Sequence, residues 1–170
     1  MLEHVQTAFI LVFPALVILA ALRDVVSYTI SNWISLALAA AFVPAALVAG
    51  LSLPMAGAHL GVGLIALVVG MGMFAAGWIG GGDAKLFAAA GLWLGWPAAT
   101  SYLAVTGIAG GALATLLLIL RSGWLRAYMP AGPAWFARLS EPGENVPYGV
   151  AIAIGALAAF PKTPFAALLG

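Results

Sequence analysis

The chain has no cysteine, two histidines and few charges of either sign: six Lys or Arg and five Asp or Glu in 170 residues. Without cysteine there is no disulfide framework and no thiolate zinc module, and His4 and His59 stand too far apart for a local metal motif. No metal ion and no cofactor is therefore expected. A net charge of +1, with the basic residues spread along the chain, excludes nucleic acid as a partner, because phosphate binding needs clustered Lys and Arg. Charged residues make up 6% of the chain, against about 25% in a soluble domain. What remains is apolar. At 65% hydrophobic residues and a mean hydropathy of +1.15, the composition is that of a polytopic membrane protein whose first partner is the lipid bilayer.

Apolar runs at about 5–22, 30–50, 57–79 and 146–169 each approach the ~20 residues that cross a bilayer. The run from Leu86 to Leu120 would measure about 52 Å as one helix, and Gly95-Trp96-Pro97 interrupts it, so it divides into spans at about 84–95 and 98–120. The expectation is one integral-membrane domain over residues 1–170, all-α, with six transmembrane helices. The first helix is expected to be retained, since Met1-Leu2-Glu3-His4 lacks the positive start of a secretory signal.

Charge supports that count. With six spans and the N-terminus outside, the loops holding Arg23, Lys85, Arg121, Arg126 and Arg138 all face the cytoplasm, and Lys162 alone lies on the far side. Five spans would place the three arginines of the long loop outside. That loop, with Trp124, Tyr128, Trp135 and Phe136 among its arginines, reads as interfacial amphipathic segments or an aromatic belt. Gly57/Gly61 and Gly107/Gly111 have the Gly-x-x-x-Gly spacing that lets membrane helices approach, a spacing that the ordinary glycine content of membrane helices produces equally well.

Six spans also bring the only two aspartates, Asp24 and Asp83, to the same face. A carboxylate at the edge of a bilayer core is costly and marks a functional site by default. Two carboxylates and a water suffice to hydrolyse a peptide bond. One carboxylate takes the proton of water while a carboxylic acid polarises the carbonyl and later donates to the leaving amine. Two such groups in one site cannot both ionise cheaply, so they titrate as a unit. Asp83 follows Gly80-Gly81-Gly82 and opens an apolar run, which suits an N-cap, and the glycines leave room for a ligand backbone to pass.

Three segments carry a family resemblance: Asp24 followed by Ile30-Ser31-Asn32, Gly80-Gly81-Gly82-Asp83-Ala84-Lys85-Leu86, and Val146-Pro147-Tyr148-Gly149-Val150-Ala151. Together they resemble the type IV prepilin peptidases, membrane aspartic proteases of the GxGD class, and especially the short form associated with tight-adherence pili. The resemblance implies that Asp24 and Asp83 are the catalytic dyad, with Gly80, Gly82, Lys85, Asn32 and Tyr148 as candidate substrate-binding residues. It also implies a substrate: a prepilin whose short basic leader is cut off at the cytoplasmic face of the bacterial plasma membrane while its apolar helix stays in the bilayer. The chain departs from the family's first motif in having Ser27-Tyr28-Thr29 where basic residues are common, and Ser31 where proline is common. It lacks the cysteine-bearing insert of longer members, so cleavage without methylation is expected. The alternative from another class is a small proton-coupled transporter or channel using the aspartates as a relay.

Overall fold

The computed structural model describes residues 2–122 and 133–169. Among them it is helical without strands, and each of the six apolar stretches is occupied by a helical segment. The order is α1 (Leu2–Ser27), α2 (Asn32–Val48), α3 (Leu53–Ala75), α4 (Gly81–Leu120), a short α5 (Ala134–Leu139) and α6 (Tyr148–Ala159), followed by 3-10 turns at Phe160–Lys162 and Ala166–Leu168. Three of these helices are long and apolar enough to cross a membrane: Gln6–Ser27, Leu53–Ala75 and Gly81–Leu120.

α4 is two helices in one. Gly95 (φ 59°, ψ −167°) and Trp96 (φ −97°, ψ 138°) are not helical, and Pro97 has no N–H to continue the ladder. The arms, 81–94 and 97–120, fold back on each other: Phe87 and Tyr102 stack at 5.2 Å, and the Tyr102 hydroxyl donates to the Phe87 carbonyl at 3.2 Å. On a straight helix, 15 residues would separate them by about 22 Å. Gly95 is required here, since a Cβ at that position would lie 2.5 Å from the His59 ring.

Several boundaries differ from the sequence expectation. α1 continues to Ser27, so Asp24 sits within its last turn and not beyond it. α3 runs from Leu53 to Ala75 where 57–79 was expected, because Pro54 sits at the helix start and Gly77, at φ +73°, follows the end. The last regular helix stops at Ala159 instead of reaching 169, where Pro161 and Pro164 interrupt the ladder. Trp124, Arg126 and Tyr128 of the expected interfacial stretch lie outside the described residues.

Lipid is as apolar as leucine, so membrane helices associate through close packing and interhelical hydrogen bonds and gain little from hydrophobic burial. Both devices appear. A Cβ at Gly63 would lie 3.0 Å from Leu92, one at Gly70 3.1 Å from Ala84 and one at Gly91 3.1 Å from Ala66, so α3 and the first arm of α4 pack backbone to backbone. The expected pairs do not serve this purpose. A Cβ at Gly57, Gly61, Gly107 or Gly111 would meet nothing within 4 Å. Trp93 Nε1 donates to the Leu38 carbonyl at 2.8 Å, within an aromatic cluster that also holds Phe13, Phe42 and Phe165. The outer surface is apolar, with Leu36, Leu64, Ile108 and Leu118 each more than 60% exposed, as a lipid-facing surface should be.

Candidate active site

Three helix ends converge at one end of the bundle. Asp24 lies in the last turn of α1, Asp83 in the first turn of α4, and α6 begins at Tyr148. Asp24 is 4% exposed and Asp83 7%, and both line a pocket of about 160 Å³ together with Tyr28, Gly80 and Tyr148. Among the described residues no Lys or Arg forms an ion pair with either.

Backbone N–H groups take the place of cations. Gly149, in the first turn of α6, donates to Asp24 Oδ2 at 2.7 Å, so this carboxylate faces a helix N-terminus and its partial positive charge. A Cβ on residue 149 would lie 2.8 Å from Asp24 Oδ2 and 2.8 Å from Ile30 Cδ1, so only glycine lets the helix come this near. Asp83 is not the N-cap expected from the sequence. Gly80 is the N-cap, and Asp83, at the third helical position, accepts the Gly80 N–H at 3.0 Å through Oδ2, one half of a capping box. Its Oδ1 is buried without a partner.

The pocket's third wall comes from the segment that joins α5 to α6. Arg121, just past α4, donates from Nε to the Leu139 carbonyl at 2.9 Å, and from its terminal nitrogens to the carbonyls of Glu144 at 2.7 Å and Asn145 at 2.9 Å. One guanidinium thus fixes the strand of chain that delivers Asn145, Val146 and Tyr148 to the aspartates. Arg138 pairs with Glu144 at 2.9 Å and lies 4.8 Å from the centre of the Tyr28 ring. Burial raises the Tyr28 hydroxyl above the ordinary tyrosine pKa, with nearby Arg121 opposing the shift, so the group keeps its proton at neutral pH.

The family model for the type IV leader peptidase family matches residues 11–119, a stretch that contains both aspartates. The chain belongs to the type IV leader peptidase family. No curated protein and no solved structure matches it significantly. Membership makes the chain a peptidase and favours hydrolysis over the transporter alternative. With its apolar helices, it also favours a membrane location.

The other residues singled out in the sequence are distributed unevenly. Gly80 and Tyr148 line the aspartate pocket. Gly82 faces Ile30, whose Cβ and carbonyl oxygen would each lie 3.0 Å from an added Cβ, so its smallness serves packing of the α1–α2 connection against α4. Lys85 and Asn32 bond each other, Nζ to Oδ1 at 2.7 Å, and line a separate groove of about 490 Å³ between α2, α3 and the first arm of α4. A second apolar groove, of about 310 Å³, runs between α3, the second arm of α4 and α6. It shares Ile79 and Tyr148 with the aspartate pocket, and Gly107 and Gly111 form part of its floor.

Sequence reasoning missed the hydrogen bond from Gly149 and the position of Tyr28. Gly149 stands in the segment Val146-Pro147-Tyr148-Gly149-Val150-Ala151, and its place two residues after Pro147 at a helix start is the available signal. Tyr28 was visible only as a departure from a motif.

Proposed function

We propose that the chain is a prepilin leader peptidase of the short, tight-adherence type, an aspartic endopeptidase in which Asp24 and Asp83 share the chemistry. The observation that carries this reading is the convergence of the two aspartates in one buried pocket, in a chain of the type IV leader peptidase family. Water held between the carboxylates loses a proton to the ionised one as its oxygen adds to the scissile carbonyl. The protonated one polarises that carbonyl and then gives a proton to the departing amine as the C–N bond breaks. The Gly149 and Gly80 N–H groups hold one oxygen of each carboxylate in place, so that little reorganisation is needed during the reaction. No metal ion or cofactor enters this scheme.

The reading places six spans in the bacterial plasma membrane, with the N-terminus outside and the aspartates near the cytoplasmic face. Support comes from charge: Arg121 and Arg138 gather at the aspartate end, while Lys162 bonds Ser101 just beyond the α4 break. A prepilin keeps its helix in the bilayer and its basic leader inside, so its scissile bond meets this pocket at the interface. The groove that shares Ile79 and Tyr148 with the pocket is where the pilin helix would lie, with Gly107 and Gly111 permitting close approach. Asn32 and Lys85, bonded to each other beside α4's first turn, would steady the helix that carries Asp83, and with Gly82 they support the site from outside the pocket. The direct test is the purified protein in liposomes with a candidate tight-adherence prepilin, the products being identified by mass. Release of an intact basic leader, cut after glycine and without methylation of the new N-terminus, is the expected result; failure to cleave any prepilin leader would overturn the reading.

A further inference from the structure

Tyr28 is the first residue after α1 and adopts φ +54°, a left-handed conformation that is strained for a bulky residue and persists only where the surroundings enforce it. Here the enforcement is visible. The Tyr28 N–H donates to the Asp24 carbonyl at 2.8 Å, which closes α1, and the turn brings the side chain to the wall of the aspartate pocket. The ring is held from one side by the Arg138 guanidinium, itself fixed by Glu144.

At the end of this fixed ring the hydroxyl oxygen is buried and has no hydrogen-bond partner. The nearby Arg121 guanidinium spends three of its five N–H groups on backbone carbonyls, and since it can only donate, the proton of the Tyr28 hydroxyl stays without an acceptor. A buried hydroxyl without a partner is destabilising and calls for an explanation. Ser35 and Thr106 also carry unpartnered hydroxyls, but neither lines this pocket. Asp83 Oδ1 is the other vacancy in it. The walls of the pocket thus hold a phenol O–H without an acceptor beside two carboxyl groups, the complement of a carbonyl oxygen and a water.

We propose that the Tyr28 hydroxyl hydrogen-bonds the scissile carbonyl oxygen of the substrate and the oxyanion character that grows there as water adds. The inference rests on the peptidase reading above. In the step, the water oxygen bonds to the carbonyl carbon, a water proton passes to the ionised aspartate, and the carbonyl π pair moves onto oxygen. Tyr28 donates a hydrogen bond to that oxygen and keeps its proton. When the C–N bond breaks, the electron pair returns to re-form C=O and the amine leaves with a proton from the carboxylic acid. The positive guanidinium groups of Arg121 and Arg138 strengthen the phenol as a donor.

The test is Tyr28→Phe in the full chain, assayed on prepilin in liposomes. The substitution keeps the ring, its contact with Arg138 and the backbone turn, and removes an unpartnered buried hydroxyl, so the thermal unfolding midpoint should not fall. Loss of one oxyanion donor lowers kcat by about 100-fold, with KM unchanged because the interaction strengthens only in the transition state. A variant with wild-type kcat, or one whose loss lies in KM alone, would overturn the assignment and leave the peptidase reading standing. A wild-type protein that cleaves no prepilin would overturn both.

Discussion

The backbone N–H of Gly149 donates to Oδ2 of Asp24 at 2.7 Å, across 125 positions of sequence. This bond ties the start of α6 to the end of α1, and an added Cβ would lie 2.8 Å from the same oxygen. Gly149→Ala must therefore push Asp24 or the whole helix end aside. A misplacement of about 1 Å costs roughly 100-fold in rate, and that loss of kcat is expected in a protein that still inserts and accumulates normally. An unchanged cleavage rate would show that Asp24 does not depend on this contact.

The two Gly-x-x-x-Gly pairs make a matched experiment. A Cβ at any of the four glycines meets nothing in the chain, so leucine there fills outside space and not the core. Gly107→Leu and Gly111→Leu narrow the groove that adjoins the aspartate pocket, whereas Gly57 and Gly61 line neither that groove nor the pocket. Leader cleavage at limiting substrate should fall by about tenfold, ~1.4 kcal/mol, for the first pair and stay at the wild-type rate for the second. Equal effects from the two pairs would remove the groove from the account of substrate docking.

Trp93 is fully buried, touches Phe13, Phe42 and Phe165, and donates to the Leu38 carbonyl. Trp93→Ala would leave a cavity and remove the interhelical hydrogen bond to Leu38. A cost of about 3–5 kcal/mol is expected in reversible denaturant titration of the protein in micelles. Trp96, three positions later in sequence and largely exposed, should cost far less on the same substitution.

Much of this was legible in the sequence because the bilayer simplifies the code. Apolar length marked the helices, Gly95-Trp96-Pro97 marked the break in α4, and scarcity of charge singled out Asp24 and Asp83. Helix ends were less legible: Pro54 started α3 early, and Pro161 with Pro164 ended regular helix after Ala159, both against runs of unbroken hydropathy. Glycine spacing misled, since the glycines that pack α3 on α4 are Gly63, Gly70 and Gly91, whose partners are set by tertiary register. For the same reason Lys85 and Asn32, 53 positions apart, could not be read as partners of each other. Gly149 and Tyr28 act through three-dimensional neighbours that no local pattern encodes.

Orientation is accessible because the chain has no cysteine and single cysteines can be introduced without background. Ser52 precedes α3 and Ser122 follows α4, and both are exposed. A membrane-impermeant maleimide added to intact cells should label Ser52→Cys, and should label Ser122→Cys only after permeabilisation. The reverse pattern would place the aspartates on the outer side and contradict a cytoplasmic cut.

The central claim is that Asp24 and Asp83 act together on one peptide bond. Co-expression of a tight-adherence prepilin with the wild-type chain, Asp24→Asn or Asp83→Asn, at matched expression levels, tests it through the size of the pilin. The account predicts conversion to the shorter pilin by the wild type and by neither variant, since asparagine keeps the volume of the side chain but can neither take nor deliver the proton. Cleavage by either variant at the wild-type rate would contradict it.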